Sequence, residues 1–408
     1  MEILVIGAGP VGLITSVCLA EHGDKVYVHD LLSSKMKPLM EGKAPFFEPG
    51  LDDALANAVA LGALVPVSDI SHAFSSSDII MVCVGTPSLD DGSVDLRQVR
   101  SACDDIGAEL RKADGRKTIV IRSTVPPGTI RECGMRIAEI SGKRTPEEFG
   151  IVANPEFLRQ GDALEDFRGD PSVVIGAETR ADILAMERLY GKAGKKIKVL
   201  PTKSAEMSKY VTNSFNATKV SFINEMGRIC HAQGIDLNEI SDAVFPGQRY
   251  LKAGAGFGGS CLEKDLRGVI DMARKGGVEA RLLRTVVYAN DAAHVEIIGS
   301  LDRRLRGLEG RRIGILGLSF KKGTDDIRNS PAIKIIRALL GRGASIRASD
   351  PRAMDAMKTV FSDIGYDPDP QRVVDWSEAV VILNDWDDFK SLDLDRVFVV
   401  DARPGKSK

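Results

Sequence analysis

The stretch Gly7-Ala8-Gly9-Pro10-Val11-Gly12 lies between an apolar segment, Glu2 to Ile6, and an apolar helical pattern that ends at Gly23. A second apolar segment, Lys25 to His29, follows and is closed by Asp30. A strand, a glycine-rich turn, a helix and a second strand in this order form a βαβ unit. The glycines of such a unit admit a pyrophosphate to the helix N-terminus, and the acid binds the ribose hydroxyls. The stretch therefore predicts a Rossmann-like dinucleotide site, and its context disfavours a glycine turn that binds nothing.

The residue that closes the second strand also indicates which dinucleotide is bound. The Asp30 carboxylate would repel the 2′-phosphate that distinguishes NADP from NAD. The sequence therefore predicts NAD as the cofactor.

Two further strands, predicted at Ile79 to Val84 and Thr118 to Ile121, are each followed by a loop of hydroxyl residues, glycine and proline. The loops are Gly85-Thr86-Pro87 and Ser123 to Thr129. Ligands of open parallel sheets bind off the carboxyl ends of the strands. We therefore expect cofactor and substrate contacts in both loops, although the second loop could also be a rigid turn before the next helix.

One carboxylate, Glu156, follows a strand predicted at Gly150 to Ala153 and lies in the segment Asn154 to Gly161. A carboxyl group at a strand end among apolar and amide neighbours can have a raised pKa, which suits a base or a group that positions water. An acid in the first turn of a helix is an equally good interpretation, because the helix dipole favours it there. The residue type alone leaves both interpretations open.

Residues 203–233 contain no proline and only one glycine, and Gly234 follows as a stop. A helix of this length measures on the order of 45 Å, enough to link two domains. Five apolar residues are expected to make apolar contacts along it: Met207, Val211, Phe215, Phe222 and Met226. Four polar residues share one face: Glu206, Lys209, Asn213 and Asn216. This polar stripe is either a solvated face or a site at which Lys209 and Asn213 hold an oxygen that gains negative charge.

The segment Gly256 to Asp265 places three glycines around one cysteine, Cys261, and ends in Lys264 and Asp265. Glycines let the backbone approach a ligand closely, and cationic neighbours favour a nucleophilic thiol. The segment thus resembles a nucleophile on a loop that holds a substrate. For an arbitrary cysteine, an inert thiol in a tight turn is the more common case.

The last hundred residues repeat the strand and helix pattern on a smaller scale. Strands are predicted at Arg311 to Leu318, Ala344 to Ala348, Ala379 to Leu383 and Val397 to Val400, with a helix at Pro331 to Leu340. Lys321, Arg328 and Arg403 fall in loops on the ligand side of this sheet, which suits a phosphate-bearing substrate. Taken singly, each of these cations is more often an exposed surface residue.

Length and composition narrow the class of protein further. A chain of 408 residues is too long for a single hydrophobic core, so we expect two or three domains. A net charge of −2 gives no positive potential that would attract nucleic acid. The six cysteines show no metal-ligand spacing, so we expect reduced thiols and no metal. No secretory signal or membrane-spanning segment is evident, and we expect a cytoplasmic protein without a membrane or nucleic-acid partner.

Taken in order, these motifs resemble those of the UDP-glucose/GDP-mannose dehydrogenase family, from Gly7 to Arg403. Seven segments carry the resemblance: Gly7 to Leu13, Pro45 to Leu51, Cys83 to Pro87, Ser123 to Thr129, Asn154 to Leu158, Gly256 to Asp265, and Phe320 to Arg328. The resemblance implies an α/β protein with two Rossmann-like parallel-sheet domains joined by a long central helix. The expected domains are 1–200 for NAD, 201–305 for the helical linker with the cysteine loop, and 306–408 for the UDP-sugar.

The family resemblance implies a four-electron oxidation of a nucleotide sugar at C6 with two NAD. UDP-glucose is the preferred substrate because the segment Pro45 to Leu51 is similar to that branch, and GDP-mannose or a UDP-N-acetylhexosamine is the alternative. Two other classes remain: a non-catalytic NAD-binding protein of the same fold, and a two-electron dehydrogenase of the 6-phosphogluconate type. The central helix resembles a dimer-forming connector, so a homodimer is expected.

The matched motifs also imply roles for individual residues. Cys261 resembles the nucleophile that forms a thiohemiacetal and then a thioester, and Asp265 the acid that manages protons through a water. Lys209 and Asn213 resemble the pair that stabilises an oxyanion, and Thr124 and Glu156 the groups that position water. The implied NAD contacts are Gly7, Gly9, Val11, Gly12, Asp30, Lys35, Gly85, Thr86, Thr124, Lys264 and Arg328. The implied substrate contacts are Glu156, Phe157, Leu158, Lys209, Asn213, Arg249, Tyr250, Gly258, Lys321 and Arg403.

Two positions depart from the family pattern. Pro10 stands where the glycine-rich fingerprint usually has tyrosine, and Phe245-Pro246-Gly247 replaces an Arg-Ile-Gly triplet that helps to hold the sugar. Either Arg249 takes over from the missing arginine, or the sugar differs.

Overall fold

Two parallel-rich sheets form within residues 1–405, the part of the chain that the structure, a computed structural model, describes. One sheet has eight strands and the other has five. Packing divides the chain into two compact units, Met1–Val211 and Thr212–Lys408, of which the last three residues, 406–408, lie outside the described part. The predicted division into domains 1–200, 201–305 and 306–408 stays a prediction.

The first unit is built on the eight-stranded sheet. Its strands are β1 (Glu2–Ile6), β2 (Lys25–His29), β3 (Leu64–Pro66), β4 (Ile79–Val82), β5 (Lys117–Ile121), β6 (Phe149–Ala153), β7 (Ser172–Gly176) and β8 (Lys196–Leu200). They lie in the order β3-β2-β1-β4-β5-β6-β7-β8, and neighbours are parallel except that β7 runs antiparallel to β6. The carboxyl ends of β1, β4, β5 and β6 therefore meet at one edge, where the loops singled out in the sequence begin.

Helices cover both faces of this sheet. They are α1 (Pro10–Glu21), α2 (Ser33–Met40), α3 (Leu51–Ala60), α4 (Ser71–Ser76), α5 (Arg97–Lys112), α6 (Thr129–Ser141), α7 (Ala163–Gly169) and α8 (Arg180–Gly191). Successive side chains of a strand point to opposite faces, so Ile3 and Val5 pack with α1 whereas Leu4 and Ile6 pack with α5 and α6. Burial on both faces explains why these strands are apolar throughout rather than alternating.

A helix of 31 residues, α9 (Thr202–Ala232), begins in the first unit and ends in the second. It agrees with the predicted helix within one residue at each end. The second unit continues with α10 (Leu237–Val244), α11 (Leu262–Lys275), α12 (Arg281–Leu305), α13 (Pro331–Leu340), α14 (Met354–Lys358) and α15 (Pro370–Trp376). A short 3₁₀ helix, Asp387–Phe389, follows.

The five-stranded sheet of the second unit contains β9 (Arg312–Leu316), β10 (Ser345–Ser349), β11 (Gly365–Tyr366), β12 (Ala379–Ile382) and β13 (Phe398–Asp401). All neighbours are parallel in the order β11-β10-β9-β12-β13. Two parallel-sheet units and one long helix confirm the predicted fold class.

Several predicted details differ from the structure. The strands expected at 79–84 and 311–318 end two residues earlier, and Gly317 leaves β9 with a φ of 97° that no strand adopts. Three of the five apolar α9 residues, Val211, Phe215 and Phe222, are exposed in this chain, so the apolar contacts expected of them stay a prediction. Periodicity identifies a helix face but not what covers that face. No helix within residues 1–405 is long and apolar enough to cross a membrane.

Candidate active site

The glycine-rich turn after β1 has the geometry of a dinucleotide cradle. Gly7 has a φ of 112°, and a Cβ there would lie 2.5 Å from the Cys83 carbonyl oxygen. A Cβ at Gly12 would lie 1.9 Å from the Gly7 oxygen, so both glycines are required by close packing. At Gly9, by contrast, nothing lies within 4 Å of the position a Cβ would take. That opening, beside the N-terminus of α1, which receives no side-chain cap, fits a pyrophosphate.

Asp30, at the end of β2, is held as a carboxylate beside this turn. Its oxygens accept hydrogen bonds from Ala8 N (2.9 Å), Leu32 N (2.9 Å) and Lys35 Nζ (2.7 Å). Burial alone would raise the pKa of Asp30, but the hydrogen bonds from Lys35 and the two amides outweigh it, and the pKa lies below its ordinary 3.8. The acid is therefore ionised and oriented for ribose hydroxyls.

Asp30→Asn is expected to raise the KM for NAD by about 10- to 100-fold, the value of a charge-assisted hydrogen bond. Because the pKa of Asp30 is lowered, the ionised form persists above the ordinary value of 3.8 and is lost only as the pH falls below it. The contribution of Asp30 to NAD binding should thus be constant from about pH 8 to about pH 5. Steady-state kinetics with varied NAD checks both points, and an unchanged KM in the variant would remove Asp30 from the site.

The second sheet has an acid in the corresponding place, and it is more deeply buried than Asp30. Asp350 follows β10 and is fully buried. It accepts hydrogen bonds from Leu318 N (2.7 Å), Ala353 N (2.8 Å) and the Trp386 indole (3.2 Å). Asp350 is 1% exposed, against 9% for the Asp30 side chain, so the first sheet offers the more accessible acid for a ribose.

Glu156 and Lys209 form a buried ion pair in the first unit. Lys209 Nζ lies 2.9 Å from Glu156 Oε1, and the two side chains are only 5% and 6% exposed. Leu158 N donates to the other Glu156 oxygen at 2.6 Å, and the Phe157 ring lies beneath the ammonium at 5.7 Å. Glu156 lies in an irregular loop, seven residues before α7 begins at Ala163, so the alternative of a helix first-turn acid is wrong.

The polar stripe of α9 is not a solvated face. Glu206, Lys209 and Asn213 are all buried. The Glu206 carboxylate accepts from Gly128 N (2.6 Å) and Ile130 N (2.7 Å) at the start of α6, and burial raises its pKa against the opposing effect of these amides. The sequence placed Glu206 on the correct face without indicating this function.

The loops after β4 and β5 are tied to the same place. Thr86 Oγ1 donates to the Thr124 carbonyl oxygen at 2.9 Å. Thr124, Pro155, Glu206 and Lys209 line one small pocket. The structure therefore brings Thr124, Glu156 and Lys209 together, and their roles toward a substrate stay predictions.

Glu48 is a residue of this site that sequence reasoning missed. It lies in the segment Pro45 to Leu51, is buried, and accepts from Gly161 N (2.6 Å) and Ala163 N (2.7 Å). The carboxylate thus caps α7 and closes the loop that carries Glu156. Only the resemblance of the segment as a whole could have indicated it, because its partners lie more than a hundred residues away.

Glu48→Gln is expected to lower the free energy of unfolding by about 1–2 kcal/mol, because glutamine offers one acceptor and turns its NH₂ group toward a backbone N–H. Denaturant unfolding measures the change. Glu41, an exposed acid in the same unit, provides the control: Glu41→Gln should alter the free energy of unfolding by less than about 0.5 kcal/mol. Equal effects of the two substitutions would contradict a capping role.

Cys261 differs from the other cysteines of the chain. Cys18, Cys83, Cys103, Cys133 and Cys230 are buried, whereas Cys261 is exposed. It is the N-cap residue of α11, and its Sγ lies 3.5 Å from Ser260 Oγ. The interpretation of Cys261 as a buried thiol is therefore wrong. An exposed thiol at the end of a glycine loop can reach a ligand.

Asp265 lies one helical turn after Cys261 and is almost completely buried. Asn213 Nδ2 donates to Asp265 Oδ2 at 2.6 Å, and Lys264 Nζ lies 2.5 Å from Oδ1. The Asp265 amide donates to the Cys261 carbonyl at 2.9 Å. The second unit therefore brings four of the predicted site residues together: Asn213, Cys261, Lys264 and Asp265.

Two of the three cations predicted on the ligand side of the second sheet, Arg328 and Arg403, are ion-paired. Arg403 is mostly buried and binds Asp401 at 2.5 Å and Asp385 at 3.2 Å, so an exposed surface cation is the wrong interpretation for it. Arg328 is exposed and binds Asp326 at 2.6 Å. The hydrogen bond to Asp326 raises the pKa of Arg328, and the hydrogen bond to Asp401 raises the pKa of Arg403. Lys321 lies in the loop between β9 and α13.

The segment that departs from the family pattern lies between α10 and α11. Phe245 is partly buried and packs on a small apolar cluster that contains Ile223 and Leu237. Arg249 is exposed, and Tyr250 has a φ of 67°, which is costly for an aromatic residue. Lys219 Nζ lies 5.2 Å from the centre of the Tyr250 ring.

Comparisons with known proteins identify the family to which this fold belongs. Models of the UDP-glucose/GDP-mannose dehydrogenase family match the chain as the NAD binding domain (1–193), the central domain (203–292) and the UDP binding domain (314–404). UDP-glucose 6-dehydrogenase of Bacillus subtilis is 36% identical over 99% of this chain and 87% of its own. GDP-mannose 6-dehydrogenase of Pseudomonas putida is 35% identical over 97% and 93%. A UDP-glucose dehydrogenase structure from Pyrobaculum islandicum has a TM-score of 0.94 at 36% identity, covering 99% of this chain and 94% of its own.

The NAD cradle, the UDP binding model over the second sheet and the 6-dehydrogenase relatives together define an NAD-dependent nucleotide-sugar dehydrogenase that acts at C6. The chain belongs to the UDP-glucose/GDP-mannose dehydrogenase family. NAD is its cofactor, and its substrate is a nucleotide sugar.

Proposed function

We propose that this enzyme oxidises UDP-glucose to UDP-glucuronate in two successive steps through a covalent intermediate on Cys261. The observation that carries the proposal is the exposure of Cys261 one turn before the buried Asp265, which is bound by Asn213 and Lys264. Binding of NAD alone needs none of these groups, which argues against a non-catalytic protein. A two-electron dehydrogenase has no use for a nucleophilic thiol.

Bound NAD supplies the hydride acceptor for each oxidation. In the first, the C6 hydroxyl gives its proton to a water held by Asp265, and an aldehyde results. The Cys261 thiolate adds to the aldehyde carbon, a C–S bond forms, and the carbonyl electron pair moves to oxygen. Lys209 and Asn213 stabilise the negative charge on that oxygen.

Loss of the second hydride from the same carbon restores the C=O bond and gives a thioester. Thr124 and Glu156 position the water that adds to it, the C–S bond breaks, and the thiolate leaves. One water is consumed, two NAD are reduced, and the product is a carboxylate. The buried ion pair of Lys209 with Glu156 supports the proposed oxyanion role of Lys209, because it holds the ammonium group in place before substrate binds.

The choice of UDP-glucose rests on two observations. The segment Pro45 to Leu51 is similar to that branch of the family, and the Pyrobaculum islandicum UDP-glucose dehydrogenase shares the fold over nearly the whole chain. GDP-mannose and a UDP-N-acetylhexosamine are the alternatives, because the departure at Phe245 removes an arginine that helps to hold the sugar in the family.

We also propose the functional division into residues 1–200 for NAD, 201–305 for the linker with Cys261, and 306–408 for the nucleotide. The bounds of the three family models lie close to these limits. A homodimer through α9 completes the proposal, since Phe215, Phe222 and Ile229 are at least half exposed and recur every seven residues on one helix face. Light scattering on the purified protein should give twice the mass of the chain, and a monomer would contradict the dimer.

An assay across nucleotide sugars tests the substrate. Purified protein with NAD is given UDP-glucose, GDP-mannose or UDP-N-acetylglucosamine, and NADH and the sugar acid are measured together. The highest kcat/KM is expected with UDP-glucose. A higher kcat/KM for either competitor would reassign the substrate. If no NADH forms with any of the three sugars, the proposed enzymatic activity is overturned.

A further inference from the structure

Asn290, on α12, binds the backbone of the glycine loop at two points. Its side-chain Oδ1 accepts from Phe257 N at 2.7 Å, and its Nδ2 donates to the Phe257 carbonyl at 3.0 Å. Asn290 is 6% exposed and both hydrogen bonds are buried. The amide therefore satisfies both polar groups of one residue, as a neighbouring strand would.

The glycine before this contact is matched to it. Gly256 has a φ of 99°, and a Cβ there would lie 2.7 Å from Asn290 Oδ1. Any side chain at 256 would therefore push the Asn290 amide away from Phe257. Gly256 and Asn290 therefore act together to hold the loop, although they lie far apart in the sequence.

The other side of the loop is held by the segment before α13. Gly259 N donates to the Arg328 carbonyl at 2.9 Å, and Asn329 Nδ2 donates to the Gly259 carbonyl at 3.2 Å. A Cβ at Gly258 would lie 2.5 Å from the Asn329 carbonyl oxygen. The loop is thus clamped between α12 and residues 328–329, two residues before Cys261.

Glycines cannot fix their own conformation by packing, and each has more backbone freedom to lose than any other residue. A nucleophile at the end of such a loop therefore depends on contacts made by other elements. We propose that Asn290 is a positioning residue that fixes the loop Gly256–Gly259 and, through it, the place of Cys261 during attack on the aldehyde. This inference rests on the proposed function for its kinetic consequence, and its structural consequence is independent of it.

Three variants test the role. Asn290→Ala removes both contacts, whereas Asn290→Asp keeps the shape and the acceptor but sets a carboxylate oxygen against the Phe257 carbonyl. Asn224→Ala is the matched control, because Asn224 is also buried and its Oδ1 accepts from Gly254 N at 2.8 Å, further from Cys261. If Asn290→Ala does not fold, the isosteric Asn290→Asp decides the outcome.

The first readout is amide hydrogen exchange of the full-length protein without substrate. Peptides that cover residues 256–261 should exchange about tenfold faster in both Asn290 variants, whereas the later part of α11 should be unchanged. Asn224→Ala should leave exchange at 256–261 unchanged. Unaltered hydrogen exchange in Asn290→Asp, or equally accelerated exchange in Asn224→Ala, would overturn the role of Asn290 without affecting the proposed function.

The second readout is kinetic. With UDP-glucose, the Asn290 variants should lower kcat by about 10- to 100-fold with an unchanged KM for NAD, because a misplaced nucleophile slows the covalent step. Semicarbazide added during turnover should then trap aldehyde that the control and the wild-type protein do not release. Normal kcat and no trapped aldehyde would overturn the inference. If the wild-type protein turns over no nucleotide sugar while the Asn290 variants still show accelerated exchange, the proposed function is overturned. The structural role of Asn290 in holding the loop is then retained.

Discussion

Replacing Cys261 by alanine is expected to abolish formation of the sugar acid, with a fall in acid production on the order of 10³-fold or more. An aldehyde carbon cannot transfer its hydrogen as a hydride until a nucleophile has added to it and formed a tetrahedral adduct. Cys261 is the exposed cysteine of the chain, and the other five are buried. No other described thiol can replace it, so the reaction should stop at the aldehyde.

Product analysis is the measurement for this variant. Semicarbazide traps the aldehyde, and chromatography separates it from the acid. Cys230→Ala, which removes a buried thiol of the same unit, is the matched control and should form acid at the wild-type rate with a small loss of stability. Acid formation by Cys261→Ala at more than a few per cent of the wild-type rate would contradict covalent catalysis.

Lys209→Met should lower kcat by about 10²- to 10³-fold, the usual cost of removing a group that stabilises an oxyanion. It should also lower the free energy of unfolding by about 3 kcal/mol, because the buried Glu156 carboxylate loses the ammonium 2.9 Å away. The two effects have different causes and can be separated.

The double variant Lys209→Met with Glu156→Gln, compared with Glu156→Gln alone, separates them. Neutralising the unpaired acid should recover much of the lost stability, as measured by denaturant unfolding, while kcat stays well below that of Glu156→Gln alone. A double variant as active as Glu156→Gln alone would show that Lys209 acts only through the fold. A single variant with kcat within tenfold of the wild type would exclude it from oxyanion stabilisation.

The parts of this protein that were predictable are those specified by neighbouring residues. The turn Gly7 to Gly12 and the acid Asp30 belong to one βαβ unit, so their local order was sufficient to predict the cradle that the structure contains. The length of α9 was predictable for the same reason, because proline and glycine mark helix limits directly.

What lies far apart in the sequence could not be predicted. Helical periodicity put Lys209 on a shared face, but only the fold brings Glu156 to it and buries both. Glu48 reaches the start of α7 across 115 residues, and Asn290 reaches Phe257 across 33. The interpretation of Cys261 as a buried thiol also failed for this reason, since the contacts that hold its loop come from α12 and from residues 328–329.

The most direct test of the central claim is the amount of NADH formed per nucleotide sugar consumed. Wild-type protein is incubated with excess NAD and a limiting amount of UDP-glucose until the reaction is complete. The account predicts two NADH for each sugar and the acid as the product. One NADH for each sugar, with the aldehyde as the final product, would contradict it.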